Sequence, residues 1–269
     1  MNTVFKKSSI CILVYSLRGY GSERVALNLA QGFLDKGLSV DFVIIESGGE
    51  FIKMVPPKAR CIELGVTDLR SISTWKKIQA LAKYLKQERP TALVSIYDTI
   101  NLAFWAKFLA GVSTKIFVDV QNTLSNEFTG TRGKLKSYLV RLSYPWSNGV
   151  ITSSKGVAQD LADFAGIHLT NTSIIYNPAV TPEIFEKAKQ PVHHPWFASG
   201  EPPVILGVGR LAEQKDFRTL IKAFALVRKQ HLSRLMILGE GHLRFELETL
   251  INELGLQDSV ALPGYSENP

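Results

Sequence analysis

Short apolar runs of strand type alternate with amphipathic helical stretches along almost the whole chain, and this alternation limits the fold more than any other property of the sequence. The strand candidates are Ile10 to Tyr15, Ser39 to Ile45, Arg60 to Leu64, Ala92 to Ile96, Lys115 to Val120, Gly149 to Thr152 and Thr172 to Ile175. Between them run helical patterns at Glu23 to Lys36, ended by Gly37; Thr74 to Glu88, stopped by Pro90; Thr99 to Ala110, ended by Gly111; and Lys134 to Trp146. Strands separated by helices of this length pair in parallel, because the crossover carries the chain back to the starting edge of the sheet. The predicted class is α/β, with doubly wound parallel sheets of Rossmann-like type.

From Asn177 to Pro203 the pattern breaks, with Pro178, Pro182, Pro191, Pro195, Pro202 and Pro203 interrupting it. This divides the chain into an N-terminal domain over residues 1–177, a proline-rich linker over 178–202 and a second domain over 203–269. The second domain restarts the alternation with strand Val204 to Val208, helix Phe217 to Gln230, strand Arg234 to Leu238, helix Leu243 to Leu254 and an incipient strand at Ser259 to Leu262. A nucleotide-binding sheet of this type has roughly five or six strands, so the second domain is expected to be incomplete, with an unpaired edge and an exposed apolar face.

The strand ending at Gly207 and Gly209 carries the chemistry. It leads into Arg210-Leu-Ala-Glu-Gln-Lys215-Asp-Phe before the next helix. Ligands collect at the carboxyl ends of strands in such sheets, and glycines let the backbone approach phosphate oxygens. Arg210 adds a planar fork and Lys215 a point charge, a pair suited to a diphosphate. Either cation alone reads as a solvated loop residue. A net charge of +7 also favours anionic partners. No aromatic-plus-basic cluster of RNA-recognition type and no zinc-finger spacing is present, so nucleic acid is not an expected partner. His168, His193, His194, His231 and His242 have no metal-ligand spacing, and no metal is expected.

Cys11 and Cys61 lie in strand-type runs and are predicted to be buried free thiols, which favours a reducing, cytoplasmic setting. Lys6 and Lys7 precede a short apolar run that imitates a signal peptide, but Arg18 follows without a cleavage site. No stretch reaches the ~20 apolar residues of a membrane span.

Gly19 and Gly21 precede a helix, where their N–H groups suit a phosphate or an acidic acceptor group; a tight turn is the plainer reading. A dinucleotide site is the rival, with Glu46 placed for a ribose, but Arg24 stands where that motif needs a small residue. Asp98 and Asn101 follow a strand and open a helix, where they suit an acceptor, but capping of that helix by Asp98 or Thr99 is the expected role. No spacing ties Asp119 or Glu127 to a catalytic partner, and the alternation around Asp119 predicts that it faces solvent. Tyr138, Leu142 and Trp146 share a helical face, with Lys134, Lys136 and Arg141 interspersed. Packing against the core is the expected role, and a basic amphipathic membrane contact the alternative.

Gly207-x-Gly209-Arg210-Leu211, followed by Gln214-Lys215-Asp216-Phe217, resembles the donor-site motif of the GT-B glycosyltransferases of family 4, the "group 1" transferases. Arg18-Gly-Tyr-Gly-Ser-Glu-Arg-Val resembles the family's first glycine loop, Ile174-Ile-Tyr-Asn-Pro-Ala-Val the turn closing its N-terminal domain, and Gly239-Glu-Gly-His-Leu-Arg-Phe-Glu-Leu-Glu a segment of its nucleotide domain. The resemblance implies a GT-B architecture and retaining, metal-independent transfer of a hexose from a UDP- or GDP-sugar to a saccharide or lipid-linked acceptor for cell-surface polysaccharide. It implies no other cofactor; with the cysteine reading above, the expected setting is cytoplasmic, with peripheral contact at the inner face of the membrane as the alternative offered by the Tyr138 helix. By the same resemblance Arg210 and Lys215 hold the diphosphate, while Gly209, Gly239 and Gly241 line the nucleotide. Gln121 faces the donor sugar beside Asn122.

Two departures accompany the matches. Gln121 stands where many members have histidine, and glutamine transfers no proton near neutral pH. A glutamate pair that holds the donor in family members is absent, so the chain is expected to be C-terminally truncated relative to the family. A non-catalytic remnant or binding module, or a sugar-nucleotide epimerase of GT-B architecture, is the alternative.

Overall fold

The computed structural model describes residues 9–65, 72–96, 99–127, 130–166, 172–178, 180, 182–266 and 268. Lys6, Lys7, Asp98 and His168 lie outside them, as do the side chains of Glu127 and Lys136. The chain forms two compact units, Met1–Ala179 and Val180–Pro269.

The first unit is built on seven parallel strands: β1 (Ser9–Val14), β2 (Ser39–Ile44), β3 (Arg60–Glu63), β4 (Ala92–Ile96), β5 (Lys115–Val120), β6 (Gly149–Thr152) and β7 (Thr172–Ile174). Their order is β3-β2-β1-β4-β5-β6-β7, so the winding reverses between β1 and β4. Helices α1 (Gly21–Asp35), α2 (Ile72–Glu88), α3 (Ile100–Ala110), α4 (Leu124–Glu127), α5 (Gly130–Ser143) and α6 (Lys155–Ala165) complete it. One apolar cluster joins Ile12, Val14, Phe42 and Ile44 to Ala26, Leu27 and Ala30 of α1. A second joins Leu13, Val43, Leu93 and Val118 to Leu81, Leu85, Ala103 and Leu161. Apolar residues on both faces explain why the central strands read as continuous hydrophobic runs. Gly111 and Gly166 end α3 and α6 in the left-handed conformation, as helix-terminating glycines do.

Four expectations need correction. Cys11 is buried but Cys61 is exposed, because β3 is an edge strand. Asp119 is buried at 2% exposure, not facing solvent, because the sheet is covered on both faces. Tyr138, Leu142 and Trp146 are exposed, while Val140 and Tyr144 supply the buried side. Thr99 occupies the N-cap position of α3, but its hydroxyl bonds to the carbonyls of Ile96 and Leu13 rather than capping the helix.

The second unit holds three parallel strands, β8 (Val204–Val208), β9 (Arg234–Leu238) and β10 (Val260–Gly264), in the order β10-β9-β8. A short helix α7 (Pro182–Lys187) falls within the proline-rich stretch, with Pro182 at its first position. Helices α8 (Phe217–Arg228) and α9 (Arg244–Glu253) pack Ile221, Phe224, Leu247 and Ile251 onto Leu235 and Ile237. Each such buried side chain contributes about 1.5–3 kcal/mol.

Candidate functional site

Gly207, in β8, permits the approach of α8. A Cβ there would lie 3.2 Å from both Leu220 Cδ2 and Phe217 Cε1. Gly209 N–H then donates to Leu238 O at 3.0 Å, Leu211 N–H to Glu240 O at 2.9 Å, and Leu243 N–H to Leu211 O at 3.2 Å. These bonds join the loop after β8 to the loop after β9. The approach is so close that a Cβ on Gly239 would lie 2.0 Å from Gly209 O, and one on Gly241 2.3 Å from Leu211 O. Backbone contact alone therefore demands glycine at both positions, and it brings Gly209, Arg210, Lys215, Gly239 and Gly241 into one constellation.

Leu211, fully buried, anchors the loop, leaving Arg210 and Lys215 exposed on either side of it in sequence. The aliphatic stem of Lys215 lies against Gly209, with Cγ, Cδ and Cε each 3.4 Å from where a Cβ would be. Asp216, at φ 47°, caps α8 by accepting from Thr219 N–H at 3.3 Å. The neighbouring basic side chains have carboxylate partners: Arg244 bonds to Glu240 at 2.6 Å and Glu248 at 3.0 Å, Arg218 pairs with Glu246, and His242 Nε2 lies 3.0 Å from Glu213. The Glu213 carboxyl is held below its usual range, first by its own backbone N–H and then by His242. Among the described residues no carboxylate pairs with Lys215. Its ammonium projects from a fixed loop at the carboxyl end of a strand, where an anion is favoured.

In the first unit, Glu23 is buried at 5% exposure, and its carboxylate accepts from Gly19 N–H at 2.7 Å, Tyr20 N–H at 3.0 Å and Ser16 Oγ at 3.2 Å. The chain thus supplies its own acid to Gly19, while Gly21 begins α1. Arg24 lies 4.6 Å from the Phe51 ring and Glu46 pairs with Arg18 at 2.7 Å, so both residues weighed for a dinucleotide have local partners.

Gln121 follows β5 and is half-buried, with Asn122 exposed beside it. Gln121 Nε2 donates to Asp119 Oδ2 at 2.6 Å, and Asn177 Nδ2 donates to Gln121 Oε1 at 2.6 Å. Asn28 of α1 donates to Pro178 O at 2.9 Å. The turn at Asn177-Pro178 therefore ties the end of β5 to α1. Burial pushes the Asp119 carboxyl up to about 6, against a smaller lowering by Gln121. Asp119 and Glu23 are the residues that sequence reasoning assigned no role. The signal for Asp119 was an acid inside an otherwise apolar central strand.

The family described as Glycosyltransferase Family 4 matches residues 20–181, and that described as Glycosyl transferases group 1 matches residues 189–269. A Campylobacter jejuni protein, N-acetylgalactosamine-N,N'-diacetylbacillosaminyl-diphospho-undecaprenol 4-alpha-N-acetylgalactosaminyltransferase, is 28% identical over 96% of this chain and 70% of its own length. A second protein of that organism, GalNAc-alpha-(1->4)-GalNAc-alpha-(1->3)-diNAcBac-PP-undecaprenol alpha-1,4-N-acetyl-D-galactosaminyltransferase, is 27% identical over 92% of this chain and 66% of its own. Among solved structures, Anabaena HepE in complex with UDP and glucose superposes with a TM-score of 0.74 at 16% identity, covering 97% of this chain and 70% of that one.

Proposed function

The chain belongs to glycosyltransferase family 4 and has the GT-B fold, and on that premise we propose that it serves transfer of a hexose from a nucleotide-diphospho-sugar to a saccharide or lipid-linked acceptor. Departure of a nucleoside diphosphate leaves negative charge on the pyrophosphate, and fixed cations stabilise that charge best when they need not reorganise. Lys215 and Arg210 fill this role without a metal, the ammonium as a point charge and the guanidinium as a fork. The observation that carries the reading is the Lys215 ammonium, without a carboxylate among the described residues, on a loop bonded through Gly209 and Leu211 to the strand beside it. Gln121 and Asn122 serve as sugar-contacting amides of the first unit, and transfer proceeds with retention of anomeric configuration. UDP in the structural neighbour and undecaprenol-linked substrates in the names of the relatives support a UDP-sugar donor and a glycolipid acceptor.

A lipid-linked acceptor places the enzyme at a membrane surface. No described helix is long and apolar enough to cross one. Instead, α3 and the segment from α5 to Trp146 expose Trp105, Phe108, Leu135, Tyr138 and Trp146 at 53%, 75%, 62%, 59% and 69%. Phe104 joins the two, 5.6 Å from Trp105 and 5.8 Å from Trp146 between ring centroids. Lys107, Lys134 and Arg141 lie on the same helices. Aromatic side chains bordered by cations suit the headgroup layer of an anionic bilayer, and we assign this face to peripheral contact with the cytoplasmic leaflet.

The deciding experiment replaces Lys215 by alanine and measures initial transfer rates with UDP- and GDP-sugars, together with calorimetric binding of UDP and GDP. Loss of one preorganised charge is expected to slow transfer about 10²–10³-fold and to weaken diphosphate binding. Unchanged rate and affinity would refute the assignment.

A further inference from the structure

Gln121 is held at both ends of its amide. Its Nε2 meets Asp119 Oδ2 at 2.6 Å, its Oε1 meets Asn177 Nδ2 at 2.6 Å, and its main-chain carbonyl accepts from Ser153 Oγ at 3.1 Å. Two side-chain amides facing each other are ambiguous by themselves, since exchanging nitrogen and oxygen in both leaves an equally good bond. An ionised carboxylate only accepts, so it ends that symmetry. With Asp119 ionised, the amide nitrogen of Gln121 must turn to Asp119 and its oxygen to Asn177. One N–H of Gln121 has no partner among the described residues, and it points in a defined direction.

We propose that Asp119 and Asn177 are positioning residues that lock the Gln121 amide so that its second N–H is offered to an oxygen of the bound sugar. The inference rests on the reading of Gln121 as a sugar-contacting residue. It makes Gln121 a hydrogen-bond donor in place of an ambivalent amide, and so favours a sugar that presents a hydroxyl or carbonyl oxygen at that point. Burying a carboxylate at 2% exposure is unfavourable in itself, which is why a placed acid in the middle strands calls for a purpose. Among the described residues its surroundings add no compensating charge. β4 and β6 set Ile96 and Ile151 in register with it. On α1, Glu23 is committed to Ser16, Gly19 and Tyr20, and Arg24 to the Phe51 ring. On α6, Asp160 is committed to Leu124 and Ser125, and Lys155 is exposed. The Asp119 carboxyl, raised to about 6, is therefore ionised and orienting near neutral pH and loses that power in mild acid.

The test follows the side-chain amide resonances of Gln121 by NMR from pH 5 to 8 in the wild-type chain and in Asp119→Asn, alongside initial transfer rates for both, for Asn177→Ala and for Gln121→Leu. The expected result is a titration of the Gln121 resonances with a midpoint near 6 that Asp119→Asn abolishes. The wild-type kcat should fall about tenfold toward pH 5 with little change in donor KM, and that acidic limb should flatten in Asp119→Asn. Asn177→Ala should lower kcat while leaving the resonance titration in place. Gln121 resonances indifferent to pH in the wild type, or an Asp119→Asn enzyme with the wild-type rate and acidic limb, would overturn the proposal. Full activity of Gln121→Leu would overturn it through its premise, and a wild-type chain that still showed the Gln121 titration would then show that the sugar contact, not the network, was at fault. A wild-type chain that transfers no sugar defeats the functional reading itself and the inference with it.

Discussion

In the first unit β1, β2, β4 and β5 are buried along most of their length, whereas β8 at an edge of the second sheet leaves Ile205, Leu206 and Val208 exposed at 38%, 49% and 52%. The candidate site residues of the two units are nevertheless each held, by different means. At the end of β5 the device is a chain of side-chain bonds, Asp119 to Gln121 to Asn177. At the end of β8 it is backbone on backbone, with carbonyls of Gly209 and Leu211 occupying the space that side chains at 239 and 241 would need. Each candidate loop is thus held by its own polar contacts, whatever the depth of apolar core behind it.

The strongest challenge to this contrast is Gly239→Ala. The new methyl would stand 2.0 Å from a backbone oxygen at a φ of 140°, so the loop must move or the unit unfold. A loss of about 4 kcal/mol or more is expected, read as selective loss of hydrogen-exchange protection in β8 and β9. The control is Gly37→Ala in the first unit, also left-handed at φ 75° but with nothing within 4 Å, where about 1 kcal/mol is expected. Equal costs at the two positions would remove the distinction.

A smaller effect separates the side-chain device from the backbone one by pH. Asp119 holds its proton more strongly folded, at about 6 against an ordinary 3.8. Its contribution to stability is therefore complete below pH 4 and lost as pH rises through 6, a swing on the order of 2–3 kcal/mol. Asp119→Asn cannot titrate, so the wild type should gain on the variant in urea midpoint between pH 7.5 and pH 4.5. A constant difference would mean that the carboxyl is not desolvated. Smallest is the effect of the exposed aromatics. Trp105→Ser with Trp146→Ser should weaken sedimentation with anionic vesicles about tenfold without shifting the thermal midpoint. Unaltered partitioning would return these residues to the status of incidental surface.

The sequence was most legible where structure is decided locally. Ala92–Ile96, Lys115–Val120, Val204–Val208 and Arg234–Leu238 match the strands read from apolar runs to the residue; in the first unit this is because strands covered on both faces leave a nearly continuous hydrophobic record, whereas β8 keeps its apolar run although Ile205, Leu206 and Val208 are exposed. The cations and glycines around Arg210 were legible for a similar reason, since a strand end, a loop and a helix start follow one another in the chain. Cys61 was misjudged because whether a strand is central or at an edge depends on sheet order, which no local pattern encodes. Tyr138, Leu142 and Trp146 share a face, but periodicity does not say whether that face meets core or solvent. Asp119 gave the same difficulty in reverse, as an acid whose burial depends on elements distant in sequence. The bond that Gln121 receives from Asn177, 56 residues further on, appears only once β5 and the chain after β7 are brought together.

The stem of Lys215 rests on Gly209, with three of its carbons 3.4 Å from the site of a missing methyl. Bareness at that glycine is accordingly an electrostatic variable as much as a conformational one. An uncharged alanine there would lever the ammonium outward and dilute the local potential while leaving the formal charge of the protein untouched, so an inventory of charges alone would miss the phenotype.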